Sequence, residues 1–261
     1  MNILNKIISH KKNEIKILKS NCTINDLQST RLFKKRVVSL KNNLKSSRSG
    51  IIAEHKRKSP SKNIINDNLS IEYVIDGYKN AKVSGISVLT DSHFFGGSKQ
   101  DLKISKEIFS GPVLRKDFII DEFQIIESKS LGADVILLIA SALTKKEIKN
   151  LSKLAKKLNL EVLVEIHSEK ELDKALCQYV DLIGVNNRDL KTFKTDINIS
   201  KNISKKIPND FTKISESGFD SYESINDLRL YGFEGFLIGE YLMKSADPGI
   251  AAKSLIKKIE Q

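Results

Sequence analysis

Apolar positions along this chain follow two different periods. Residues 1–50 show helical spacing, with Ile3, Ile7, Ile8, Ile15 and Leu18 on one stripe and Leu32, Phe33, Val37 and Leu40 on another. Asn21 to Thr30 reads as a polar linker between them, and 46–50 (SSRSG) reads as a loop. After residue 50 the pattern alternates between short apolar runs and longer amphipathic stretches. The runs predict strands at Ile51–Ala53, Gly85–Leu89, Pro112–Leu114, Val135–Ile139, Val162–Ile166, Leu182–Val185, Thr212–Ile214 and Gly235–Ile238. Helices are predicted between them, including Ile71–Lys82, Glu122–Leu131, Lys145–Leu158, Glu169–Gln178, Tyr222–Leu230 and Ala251–Ile259.

The strands are continuous apolar runs, as in a parallel sheet buried on both faces. Eight strand–helix units in 261 residues make a closed (β/α)8 barrel, a TIM barrel, the economical arrangement. A doubly wound open sheet is the alternative, but G-x-G-x-x-G is absent after the first strand. The expected organisation is one barrel domain over 1–261, with 1–50 as a helical extension packed on its body.

The stretch 51–61 (IIAEHKRKSPS) carries the first sign of chemistry. A buried strand that ends on a carboxylate and ammonium groups must pair them or use them. Similar polar groups end nearly every predicted strand. Asp91 follows strand 2, and Arg115-Lys116-Asp117 follows strand 3. Glu165 lies on strand 5, Asn186-Asn187-Arg188-Asp189 ends strand 6, and Glu216-Ser217-Gly218 ends strand 7. Gly239-Glu240 ends strand 8, and only strand 4 ends quietly, at Ala140-Ser141. Barrel enzymes build their sites at these C-terminal strand ends.

Two clusters follow. Glu54, Lys56, Lys116 and Glu165 put two carboxylates and two ammonium groups in one mouth, where they shift each other's pKa and suit acid–base work on an anion. Ser217-Gly218 and Gly239-Glu240 place small residues where barrels bind phosphate through backbone N–H groups. Structural ion pairs and ordinary turns are the plain readings of the same residues. His93 and His167 are lone histidines and read as packing or surface groups.

The formal net charge of +12 admits a nucleic-acid surface. The lysines, however, are spread over every predicted helix, which reads as solvated faces and attraction of an anionic substrate. Two unclustered cysteines, Cys22 and Cys177, point to a reducing compartment and to no metal site. No run of about 18 apolar residues is present, so no membrane span is expected. Residues 1–20 lack an apolar core of the signal-peptide kind. The expectation is a cytoplasmic monomer that takes a small anionic sugar phosphate, with no nucleic-acid or membrane partner.

These segments resemble the indole-3-glycerol-phosphate synthase family. IIAEHKRKSPS, SVLTDSHFFGGS, PVLRKDFIID, ADVILLIASAL, LEVLVEIHS, IGVNNRDLKTF, SESGF and GFLIGEYLMKSADPG match it in order, from about Ile51 to Gly249. The N-terminal extension is similar to that family's as well, where it partly covers the barrel mouth. The resemblance implies ring closure, decarboxylation and dehydration of 1-(2-carboxyphenylamino)-1-deoxyribulose 5-phosphate, without metal or organic cofactor. It implies that Lys116 is the general acid and Glu165 the base of the dehydration. Glu54, Lys56, Asn186 and Ser217 are further catalytic candidates. Ser59, Arg188 and Glu216 match substrate contacts, and Gly218, Gly239 and Glu240 match the phosphate end. How acid and base roles divide among the two lysines and two glutamates stays open. Asn63 stands where that family usually has glycine, and His55 where it has an apolar or aromatic residue; His55 should point away from Glu54 if the strand persists. Other phosphate-binding barrel isomerases or lyases, including a Schiff-base lyase using Lys116, remain the competing reading.

Overall fold

A computed structural model of the chain describes residues 3–60, 64–189, 192–219 and 221–261; Ser61 and Asn63 lie outside them. Eight parallel strands close a barrel in sequence order. They are β1 (Ile51–His55), β2 (Gly85–Leu89), β3 (Val113–Lys116), β4 (Val135–Ile139), β5 (Glu161–Ile166), β6 (Leu182–Asn186), β7 (Thr212–Glu216) and β8 (Gly235–Ile238). Helices cover the outside, and β1 pairs with both β2 and β8.

Four strands run further than their apolar runs predict. β1 extends through Glu54 and His55, β3 through Lys116, β6 through Asn186 and β7 through Glu216. The cause is parity. Strand side chains alternate between faces, so two steps from an inward apolar residue is again inward. Ile52, Leu114, Leu163 and Ile214 belong to the core inside the barrel. Glu54, Lys116, Glu165 and Glu216 come two residues later and point into the mouth. The larger apolar core lies between the sheet's outer face and the helices, with Ala53, Val88, Val164 and Val185 among its strand members.

Residues 3–50 close both ends of the barrel. The helix Ile3–Asn21 lies at the mouth, with Ile7, Lys11 and Ile15 on its buried face. The predicted second stripe is not a single helix: 31–39 is turn and coil, and Leu40 begins a separate helix to Ser46, capped by the Ser39 hydroxyl. Leu40 and Leu44 plug the opposite end of the barrel, where Gly85 and Gly235 leave them room. The linker expected over 21–30 contains a helix, Ile24–Ser29, started by a Thr23–Asp26 capping box. Local capping outweighs the polar composition there.

β1 does persist through His55, which therefore faces away from Glu54 into the packed outer layer. It is 1% exposed and its Nε2 has no hydrogen-bond partner. Burial, aided by the nearby Arg57 guanidinium, pulls the imidazole down from 6.5 to about 4. The unfolded chain thus takes up a proton below pH 6.5 while the folded chain resists until about pH 4. The His55 contribution to stability is lost across that window, by up to about 3 kcal/mol. We expect His55→Leu to flatten that acid loss in denaturant titrations at pH 7 and pH 4.5.

Candidate active site

Five of the eight strands deliver an ionisable or amide group to one cavity of about 660 Å³ at the C-terminal end of the barrel. The structure brings together every candidate site residue read from the sequence: Glu54, Lys56, Ser59, Lys116, Glu165, Asn186, Arg188, Glu216, Ser217, Gly218, Gly239 and Glu240 all line it.

At the base lies a linked charge cluster. Lys116 Nζ is 2.5 Å from Glu216 Oε2 and 3.2 Å from Glu165 Oε2. Lys56 Nζ is 2.8 Å from Glu54 Oε1. Burial alone would lower the Lys116 ammonium pKa, but the carboxylates of Glu216, Glu165 and Glu54 outweigh it and hold the group protonated. Burial pushes Glu54 up, while Lys56 and Lys116 overcome it and keep it ionised. Glu165 and Glu216 split. Lys116 and then His167 bring Glu165 below the ordinary carboxylate range against its burial. Glu216 ends above that range, because burial and the adjacent Glu165 charge exceed the pull of Lys116. The cluster thus holds a protonated donor, Lys116, beside an ionised acceptor, Glu165.

The rim offers a different environment. Ser217 and Gly218 both have left-handed backbone, at φ 68° and 83°. Asn187, buried on the outer side of β6, donates to the Ser217 carbonyl at 3.1 Å and to Ser215 Oγ at 2.9 Å, and so fixes this turn. Gly239 precedes a one-turn helix, Glu240–Met243. The Glu240 carboxylate is matched by Lys244 at 2.7 Å and Arg188 at 3.3 Å. Arg188 also donates to the Phe193 carbonyl at 3.0 Å, which holds Phe193 at the mouth. Between base and rim runs an apolar wall of Phe95, Phe118, Phe193, Leu137 and Ile139, completed by Ile3, Leu4 and Ile7 of the N-terminal helix. Phe95 and Phe118 have ring centroids 5.9 Å apart.

Sequence reading missed three contributors. The apolar wall comes from residues scattered through loops and the first helix, so no local pattern marks it. Gly184, in the middle of β6, leaves space for a carboxylate: a Cβ there would overlap Glu216 Oε1. A glycine inside a buried strand is the signal that could have found it. We expect Gly184→Ala to displace Glu216 and lower kcat by about 10²-fold while the thermal melt stays cooperative. Gly239 does the same for Glu54 Oε1, which lies 2.5 Å from where a Cβ would sit, in addition to any backbone role. The third is His167, which is not a lone histidine. Its Nε2 lies 3.5 Å from Glu165 Oε1 and its Nδ1 3.3 Å from Ser141 Oγ. His93 does fit a packing role, stacked on His10 at 4.5 Å.

Comparison with known proteins follows the same lines. A family model described as indole-3-glycerol phosphate synthase matches residues 4–255. The chain is 43% identical over 258 residues to the indole-3-glycerol phosphate synthase of Bacteroides thetaiotaomicron, covering 99% of each. It is 42% identical over 257 residues to that of Caldanaerobacter subterraneus, covering 98% of each. Among solved structures, 3-hexulose-6-phosphate synthase from Salmonella typhimurium superimposes with a TM-score of 0.62 at 18% identity, over 81% of this chain and 98% of that one. That likeness concerns the barrel fold alone.

Proposed function

Because the chain belongs to the indole-3-glycerol phosphate synthase family, whose ring-closing carboxy-lyase reaction in tryptophan biosynthesis it carries, we propose how its own residues divide that work. The observation that supports the division is the Lys116 ammonium set between Glu165 and Glu216 on one side of an apolar-walled cavity. The substrate, 1-(2-carboxyphenylamino)-1-deoxyribulose 5-phosphate, has an aromatic ring, a ketose carbonyl and a phosphate. Its ring suits the wall of Phe95, Phe118 and Phe193. Its phosphate suits the backbone N–H groups of Gly218, Gly239 and Glu240, with Ser217, Ser59 and Arg188 beside them.

Lys116 donates a proton to the carbonyl oxygen as the carboxylate-bearing ring carbon attacks the carbonyl carbon. This prevents a full alkoxide from forming in a low-dielectric site. The attack leaves positive charge delocalised onto the ring nitrogen. The C–CO2 bond then breaks, its electron pair restores the ring, and CO2 departs. Dehydration follows: Glu165 takes a proton from the former substrate skeleton while an acid protonates the departing hydroxyl. The Glu54–Lys56 pair and Asn186 orient the reacting end and offset developing charge. Phosphate binding energy holds the two reacting carbons in register.

Mixing the protein with the carboxyphenylamino substrate tests the activity. Trp is absent from the chain, so growth of indole fluorescence meets no tryptophan background. A flat trace from folded protein would overturn the reading. A lysine held protonated is also a poor Schiff-base nucleophile. Borohydride added with substrate should therefore leave the protein mass unchanged; a trapped adduct on Lys116 would support the lyase of the competing class.

Among the described residues, no helix is long and apolar enough to cross a membrane.

A further inference from the structure

His167 follows β5 and shares parity with Glu165, so both side chains lie on the inner side of the barrel end. It does not line the cavity. Its Nε2 is buried and faces Glu165 Oε1 at 3.5 Å, an ion-pair contact without a hydrogen bond. Its Nδ1 faces Ser141 Oγ at 3.3 Å and Glu171 Oε2 at 3.8 Å. Glu171 is itself fixed: it accepts from the His167 backbone N–H at 2.8 Å and from Ser141 Oγ at 2.7 Å. It sits in the first turn of the helix Glu169–Ala175, where a negative charge is favoured. Three elements therefore converge on one imidazole: the end of β4, the end of β5 and the helix after it.

Charge counting shows what this arrangement can decide. Glu54, Glu165 and Glu216 place three carboxyls around two ammonium groups, Lys56 and Lys116. One of the three must therefore carry a proton. An imidazolium behind Glu165, itself matched by Glu171, adds no net charge and does not occupy the cavity. Its place beside Glu165 favours the ionised form there and leaves the proton to Glu216.

We infer that the His167–Glu171 pair is a positioning unit: a protonated imidazole, held by Glu171 and Ser141, orients the Glu165 carboxylate and keeps it ionised for proton abstraction. This rests on the reading of Glu165 as the base. The groups facing His167 are Glu165 of β5, Glu171 of the following helix, Ser141 beyond β4 and, by charge, Glu216 of β7. Burial lowers the imidazole pKa, but the Glu171 carboxylate 3.8 Å away and the Glu165 and Glu216 carboxyls outweigh it, so the folded protein holds His167 protonated above the ordinary 6.5. Glu171 is correspondingly brought down to about 2.

The test compares His167→Gln, Glu171→Gln and Glu165→Gln under the same kinetics. His167→Gln keeps a polar side chain but cannot carry charge. Its kcat should fall about tenfold or more with KM within about twofold, and the acid limb of its kcat–pH profile should move up by about one unit. Glu171→Gln should move the limb the same way by less. A merely structural role would change thermal stability and leave the pH limb in place. Wild-type kcat and an unmoved limb in folded His167→Gln would overturn the inference. If Glu165→Gln keeps full activity, the base assignment fails instead, and the two failures are thereby distinguished. Should His167→Gln not fold, imidazole NMR titration of the wild-type protein decides: a buried histidine titrating above 6.5, and lower in Glu171→Gln, supports the unit. One titrating below 6.5 refutes it.

Discussion

Replacing Lys116 by alanine should lower kcat by about 10²–10⁴-fold, the range a single positioned general acid supplies. The loss should sit in kcat rather than KM, because phosphate and ring contacts lie elsewhere in the cavity. The residue stands at the point of highest charge density in the mouth, touching Glu165 and Glu216 and acting on Glu54. Its removal leaves three buried carboxyls facing Lys56 and His167. Glu216, already shifted upward, takes up a proton and relieves the repulsion, so the fold survives. Circular dichroism and a cooperative melt check that the variant is folded, and indole fluorescence checks turnover. Turnover near the wild-type rate would remove Lys116 from the acid role and leave Lys56 as the donor.

The second large effect concerns stability. Lys11, on the first helix, is 1% exposed and contacts three carboxylates: Asp91 and Asp117 at 3.0 Å each and Glu14 at 2.7 Å. Asp117 also receives Arg115 at 3.1 Å, and Arg115 reaches Glu127 at 2.8 Å. A buried ion network thus pins the first helix across the ends of β2 and β3. Swapping a whole buried pair for apolar groups often costs little, but removing one partner leaves an uncompensated charge. Lys11→Met should therefore destabilise the protein by about 3–5 kcal/mol. In a chain of this size that is a fall in Tm on the order of 10 °C. Adding Asp91→Asn should restore part of the loss. A weaker pin should also raise KM, since Ile3, Leu4 and Ile7 of the same helix form part of the cavity wall. An unchanged Tm in Lys11→Met would show that the helix is held by Ile7 and Ile15 alone.

The same network gives a pH dependence. Burial pushes Asp117 up, but Arg115 and Lys11 overcome it and hold it below its ordinary 3.8. Its contribution is therefore fully present above pH 3.8 and is lost as pH falls through the lower folded value. His55 acts earlier, between pH 6.5 and about 4. The His55 loss thus precedes that of Asp117, while Glu216, raised to about 7, contributes with the opposite sign between about 7 and 4.5; Lys11→Met should leave the His55 part unchanged.

How much of this was legible in the chain follows from range. Runs such as Val135–Ile139 and Gly85–Leu89 become strands with the predicted bounds, because a strand buried on both faces needs only local apolar sequence. Strand-end chemistry was legible for a related reason. Glu54, Lys116, Glu165 and Glu216 end apolar runs where ordinary burial would exclude them, and the barrel then collects all eight ends in one place. The helical stripe over 32–40 misled because Leu32 and Leu40 pack against different parts of the body, and the helix starts only where Ser39 can cap it.

What the chain alone determined, then, is the alternation of strands and helices and the set of polar groups at the strand ends. Each depends on residues a few positions apart. Closure, through β1 pairing with β8, is a long-range outcome. Tertiary structure decided which of those groups meet and in what charge state. His167 looked solitary because its partners, Ser141 and Glu171, arrive from β4 and from the next helix. Lys11 looked like a solvated lysine until Asp91 and Asp117 closed around it. A side chain's protonation depends on burial and on charges within a few ångströms. Ser141, Asp91 and Asp117 lie tens of residues from the groups they meet, and even Glu171, four residues from His167, reaches it only because the turn after β5 folds the helix back.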